Sequence, residues 1–105
     1  MKEFVGGSCY VANEVIDTVI AQAAAKVEGV SQVRGYDAKN GRLKSHYDKL
    51  IQTESKDGHL ITALTLSVSR DAVIKDVVYQ AQVAIKEEVE SMFGLVCDRV
   101  DVVVI

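Results

Sequence analysis

No run of apolar residues in this 105-residue sequence approaches the ~18 in a row that a membrane-spanning helix requires. The opening Met-Lys-Glu-Phe-Val-Gly-Gly also lacks the long apolar stretch of a secretory signal, so the chain is expected to stay in the cytoplasm. Cysteine is scarce: Cys9 and Cys97 stand far apart, and neither belongs to a Cys-x-x-Cys motif, which leaves metal and redox chemistry little support. Two buried free thiols are the expectation, with a disulfide open only if the two ends of the chain meet. Positive charge is not in excess either. A net charge of −3 argues against a general nucleic-acid binder, because phosphate affinity comes from clustered Lys and Arg.

Catalytic signatures are missing as well. His46 and His59 are the only histidines, separated by a loop and a strand, with no nearby Cys and no partner four residues away, so no metal site is expected. Ser8, Ser45 and Ser91 have no Gly-x-Ser-x-Gly context that would expose a nucleophile beside an oxyanion-binding turn. Gly6-Gly7 carries neither Gly-x-Gly-x-x-Gly nor Gly-Lys-Ser and reads as a flexible lead-in rather than a phosphate cradle. Glu87, Glu88 and Glu90 are neighbours on a helix, point in different directions and imply no apolar pocket, so they read as a solvated acidic face. No catalytic, cofactor-binding or metal residue is assigned, and the protein is expected not to be an enzyme.

What is present is enough for one core. With 49% hydrophobic and 26% charged residues the composition is that of a globular protein, and 105 residues fit a single domain spanning 1–105. From Asn13 to Glu28, the residues Ile16, Val19, Ile20, Ala23, Ala24 and Val27, with Val15, recur at helical spacing. Asn13 can cap this helix and Gly29 can end it. Short strands are expected at Ser8–Ala12 and from Val30 to Arg34. Residues 36 to 48 show no period, contain Asn40-Gly41, and read as a polar loop with a turn. Leu50 to Glu54 and Leu60 to Ser69 flank Ser55-Lys56-Asp57-Gly58 as a β-hairpin, with Leu60, Thr62, Leu64, Leu66 and Val68 on its core side. A helix from about Ala72 to Phe93 carries the stripe Ile74, Val77, Val78, Ala81, Ile85, Val89 and Met92, closed by Gly94. The end of the chain alternates through Val100, Val102 and Val104, and Val103 and Ile105 make it apolar on both faces. The fold class is therefore α+β: two amphipathic helices packed on one face of a small, mostly antiparallel sheet of three to five strands.

Two segments resemble a known family. Asn13-Glu14-Val15-Ile16 through Ala23-Ala24-Ala25-Lys26-Val27-Glu28-Gly29-Val30 is similar to the first helix of the alkaline shock proteins, envelope stress response proteins mainly of Gram-positive bacteria. Ile74-Lys75-Asp76-Val77, Gln80-Ala81-Gln82, Val89-Glu90-Ser91-Met92-Phe93-Gly94-Leu95 and Val100-Asp101-Val102-Val103-Val104 are similar to that family's second helix and closing strand. With the Asp57-Gly58 hairpin between them, the resemblance covers most of the chain. It implies a non-enzymatic protein, abundant or induced under stress, acting through protein contacts in the cytoplasm or at the inner membrane face. Two departures stand out: the family often has proline where Lys75 stands, and its members commonly carry tails, whereas this chain begins and ends almost at the domain's edges.

The candidate interaction surface has two parts. Arg34, Lys39, Arg42, Lys44 and Lys49 outnumber Asp37 and Asp48 in the polar loop, which also carries Tyr36 and Tyr47. Val103 and Ile105 mark a sheet face that something else covers. The expected partner is a protein, a second copy of this chain included, with the membrane reached only through a partner and nucleic acid not expected. The alternative is an RNA- or anionic-surface-binding module using the basic loop, although neither the Gly-x-x-Gly loop of KH domains nor the aromatic strand signature of RRM domains is found.

Overall fold

The computed structural model describes residues 13–45, 47 and 50–105. The expected Ser8–Ala12 strand, Gly6-Gly7, Cys9, the Asn13 side-chain cap, His46, Asp48 and Lys49 lie outside that description. Seven glycines and the alternating apolar strands set the local plan, and the tightest instruction is Asp57-Gly58. Asp57 (φ 54°) and Gly58 (φ 82°) both take the positive φ that a two-residue hairpin turn demands. Lys56 consequently pairs with His59, and β4 (Ile51–Lys56) and β5 (His59–Val68) zip together antiparallel, with Ile51 opposite Leu64. The hairpin is tighter than the four-residue turn read from the sequence, because Ser55 and Lys56 still bond in the ladder.

β5 is the hub of a four-stranded sheet. β4 pairs with its residues 59–64 and β1 (Val30–Val33) with its residues 66–68, both antiparallel, while β6 (Val96–Val104) runs parallel along 59–66. Leu64 faces both Ile51 and Val102, and Leu66 faces both Val33 and Val104. One edge of β5 is therefore shared by β1 and β4, and β6 occupies the other. In effect β1 and β4 are two pieces of one edge strand, interrupted by an excursion of the chain between residues 34 and 50. The parallel β5–β6 pair needs a crossover, and the 20-residue helix α2 (Ile74–Phe93) supplies it.

The period-two alternation of β5 sends Leu60, Thr62, Leu64 and Leu66 to one face, all buried. Helix α1 (Asn13–Ala25) covers that face with Ile16, Ile20, Ala21 and Ala24, and α2 with Val77, Ala81, Ile85 and Val89. This is the arrangement expected from the sequence: α+β, both helices on one side of a mostly antiparallel sheet. In α2 the four-residue steps 77-81-85-89 make the covered seam. Ile74 and Met92, expected in that stripe, sit in the terminal turns and are 54% and 59% exposed. Gly94 ends α2 in the left-handed conformation, its N–H bonding the Glu90 carbonyl.

Helix α1 stops at Ala25, three residues before the expected Glu28. Pairing with β5 overrides the apolar period here: the Gly29 carbonyl accepts the Ser69 N–H at 2.7 Å and Val30 faces Val68, so residues 26–29 must turn into the sheet. Gly29 (φ 98°) makes the turn and lies against α2; a Cβ there would sit 2.6 Å from Val77 Cγ2 and 3.1 Å from Ala72 Cβ. Gly29→Ala is expected to lower stability by about 2 kcal/mol, because the added methyl meets packed side chains in a backbone region L-residues avoid. Urea denaturation measures it. The same substitution at Gly41, where nothing lies within 4 Å, meets no such packing.

Candidate interaction surfaces

Among the described residues, none covers the sheet face opposite the helices. Pairing puts Gln52, Glu54 and Lys56 of β4, Ile61, Ala63 and Thr65 of β5, and Arg99, Asp101 and Val103 of β6 on this side. Ile61 is 45% exposed, Val96 49%, Val103 53% and Ile105 60%, and no described element covers them. Val103 and Ile105 were legible as the apolar second face of the last strand. Ile61 and Val96 were not singled out, although Ile61 stands out of phase with the Leu60-to-Leu66 alternation and is the signal that marks the face. Charges of both signs stand between these residues. Asp101 holds the Arg99 guanidinium at 2.9 to 3.0 Å, and His59 Nδ1 lies 3.1 Å from both carboxylate oxygens of Asp98. His59 is thus tied to the bulge where β6 leaves register with β5.

The edge of β6 away from β5 is partly capped by α2. Gln82 Nε2 donates to the Val100 carbonyl at 2.9 Å, and the Cys97 N–H donates to Glu90 Oε2 at 3.3 Å. Glu90 therefore does more than extend a solvated acidic face with Glu87 and Glu88: it fastens the start of β6 to the end of α2. Cys97 is buried and free, and burial pushes its thiol pKa up.

The segment read as a loop folds into a second, two-stranded sheet. β2 (Tyr36–Asp37) pairs with β3 (Arg42–Leu43), and the Lys44 N–H donates to the Gly35 carbonyl. Asn40-Gly41 forms the turn as expected. The Asp37 carboxylate accepts the backbone N–H of Lys39 and of Asn40 and the Asn40 side-chain amide at 2.7 Å, and that last bond chiefly holds its pKa below the usual carboxylate value. Tyr36 faces inward and is only 7% exposed, so it belongs to the core and anchors the hairpin rather than serving as a contact residue. Its cross-strand neighbour Leu43 is half-buried against the core. Arg34, Lys39, Arg42 and Lys44 are all exposed, and among the described residues none of them forms a salt bridge. Tyr47 is half-buried near the base of the hairpin, its Cα close behind Gly35.

One polar cluster was missed from the sequence. Asp17 of α1 is 4% exposed, Thr62 is fully buried, and the Thr53 and Thr62 hydroxyls share a hydrogen bond at 2.9 Å. Nearby Thr53 draws the Asp17 pKa down slightly, but burial dominates and raises it, and Oδ1 has no partner. Its signal was spacing: Asp17 precedes Ala21 by four residues and Ala24 by seven, which puts it on the face of the buried stripe.

Among the described residues no group of three or more His, Cys, Asp or Glu side chains is placed to hold a metal ion, and no helix is long and apolar enough to cross a membrane. Two helices on one face of a sheet, with the other face left uncovered by the described residues and a cationic hairpin at one edge, define a two-layer α+β domain. The sequence model of the alkaline shock protein 23 family, described as having a cell envelope-related function, matches residues 2–105, and the chain belongs to that family. No curated protein matches the sequence. Solved structures of MamM-CTD, among them one in a manganese form and one in a cadmium form, are similar in fold at TM-score 0.56 and 13% identity. They cover 90% of this chain, which covers 98% and 96% of theirs.

Proposed function

We propose that the protein serves its cell envelope-related role as a non-catalytic contact module, and that the bare sheet face is where it binds protein, a second copy first of all. The observation that carries this reading is the exposure of Ile61, Val96, Val103 and Ile105 together on a face that nothing in the described chain covers. A two-fold interface must be self-complementary, since one patch meets itself. This face has that character: Lys56 and Arg99 alternate with Glu54, Asp98 and Asp101 among the exposed apolar side chains, so a rotated copy has both apolar residues to bury and opposite charges to align. Placement in the cytoplasm, peripheral to the envelope, belongs to the same proposal and is supported by the family.

Light scattering over a concentration series tests it. The chain is expected to self-associate, and Ile61→Ser with Val103→Ser is expected to raise the dissociation constant about tenfold or more, since each lost apolar side chain counts twice across a two-fold axis. A strict monomer at high concentration, or association indifferent to both substitutions, overturns the reading.

A further inference from the structure

The 34–44 hairpin is the second feature that folding leaves unspent. It interrupts the edge strand shared by β1 and β4, so it stands at the margin of the sheet instead of within it. Its position is nevertheless fixed. Tyr36 is buried in the core, and Gly35 packs so closely that a Cβ would sit 3.2 Å from Leu50 Cβ and 3.3 Å from Tyr47 Cα. With the inner side of the hairpin given to Tyr36 and Leu43, strand alternation turns Arg42 and Lys44 to the outer side, with Lys39 in the turn and Arg34 at the base.

The charge on this small element runs against the rest of the chain. Four cations and one acid give residues 34–44 a net charge of +3, and because the whole chain carries −3 the remainder carries −6. The single acid, Asp37, is held by the Asn40 amide and two backbone N–H groups, so its carboxylate already has partners. The Coulombic asymmetry orients the molecule in an external field: the hairpin is drawn toward a negatively charged surface while the body is pushed away.

We infer that the hairpin, through Arg34, Lys39, Arg42 and Lys44, docks directly on an anionic lipid surface. Three observations favour lipid over nucleic acid or protein. Base recognition on a single strand relies on exposed aromatic platforms, and the hairpin's own aromatic, Tyr36, is buried. Protein hot spots need an apolar or aromatic anchor, and the outer side of the hairpin offers charged ends alone. A headgroup plane asks for neither; it attracts clustered Lys and Arg within a Debye length, each worth roughly a fivefold gain in binding. The family's envelope-related role supports such a surface as the relevant one. The contact is peripheral and reversible, because the hairpin's two large apolar side chains, Tyr36 and Leu43, are turned toward the core.

Co-sedimentation of the full chain with large unilamellar vesicles tests this. Binding is expected to vesicles of phosphatidylcholine with phosphatidylglycerol added, not to phosphatidylcholine alone, and to fall steeply as salt is raised. Arg42→Gln with Lys44→Gln is expected to weaken it about 30-fold, whereas Lys75→Gln with Lys86→Gln on α2 leaves it unchanged; circular dichroism checks that both variants are folded. Absence of sedimentation with anionic vesicles at low salt, equal loss in both variants, or tighter binding to single-stranded RNA than to the vesicles would overturn the inference. The sheet-face reading fails separately, since Ile61→Ser with Val103→Ser weakens association without touching any of the four cations.

Discussion

Leu64→Ala is expected to cost about 3 to 5 kcal/mol of folding stability, measured by urea denaturation followed by circular dichroism. Leu64 is 1% exposed and lies on the hub strand, facing Ile51 of β4 on one side and Val102 of β6 on the other, beneath both helices. Truncation loses the transfer free energy of three carbons and leaves a cavity that two strands and two helices would have to collapse together to fill. Since a domain of this size has only about 5 to 15 kcal/mol in hand, the variant is expected to be partly unfolded at 37 °C. A control at Gln52, exposed on β4, should change stability by less than about 0.5 kcal/mol.

Asp17→Asn is expected to stabilise the protein at neutral pH by about 1 to 3 kcal/mol, an uncommon sign for a core substitution. Burial raises the Asp17 pKa, so the fold favours the protonated carboxyl over the carboxylate. A carboxyl with a raised folded-state pKa contributes fully below its ordinary value of 3.8, and that contribution is lost as pH climbs through the folded value. Above that window the native state carries a buried charge whose Oδ1 has no partner. The amide carries no charge, so its burial escapes that penalty. Denaturation at acidic and at mildly alkaline pH should therefore show the gain only at the higher pH, and an equal effect at both would assign the change to packing instead. The surrounding Thr53–Thr62 bond at 2.9 Å is formed without Asp17 and should survive the substitution.

The way these residues were or were not legible is instructive. Leu64 announces itself through alternation with Leu60 and Leu66, a pattern that any strand buried on one face must show. The helix seam of Val77, Ala81, Ile85 and Val89 and the left-handed turn at Gly94 were legible for the same reason, since period and cap are local properties. Asp17 was not, because an acidic residue among apolar ones is read as solvent-facing until a sheet is placed beneath it. Tyr36 shows the opposite error: its position in a polar, aperiodic segment suggested a contact residue, yet the two-residue ladder of β2 and β3 turns it inward. Glu90 likewise read as part of an acidic face until β6 returned alongside α2 and brought the Cys97 N–H within reach.

The amino-acid order alone determined the fold class, both helices, the Asp57-Gly58 hairpin and the family, because each is written in the spacing of neighbours along the chain. Tertiary structure decided what lies between distant segments. It alone placed β6 parallel to β5, made β1 and β4 one interrupted edge and stopped α1 at Ala25. It also enclosed Asp17, bared Ile61 on the same face as Val103, and set Arg42 and Lys44 on the outer side of a folded hairpin. The physical reason is that a face, an edge or a buried charge exists only once surfaces far apart in sequence have come into contact, and no local period encodes which of them will.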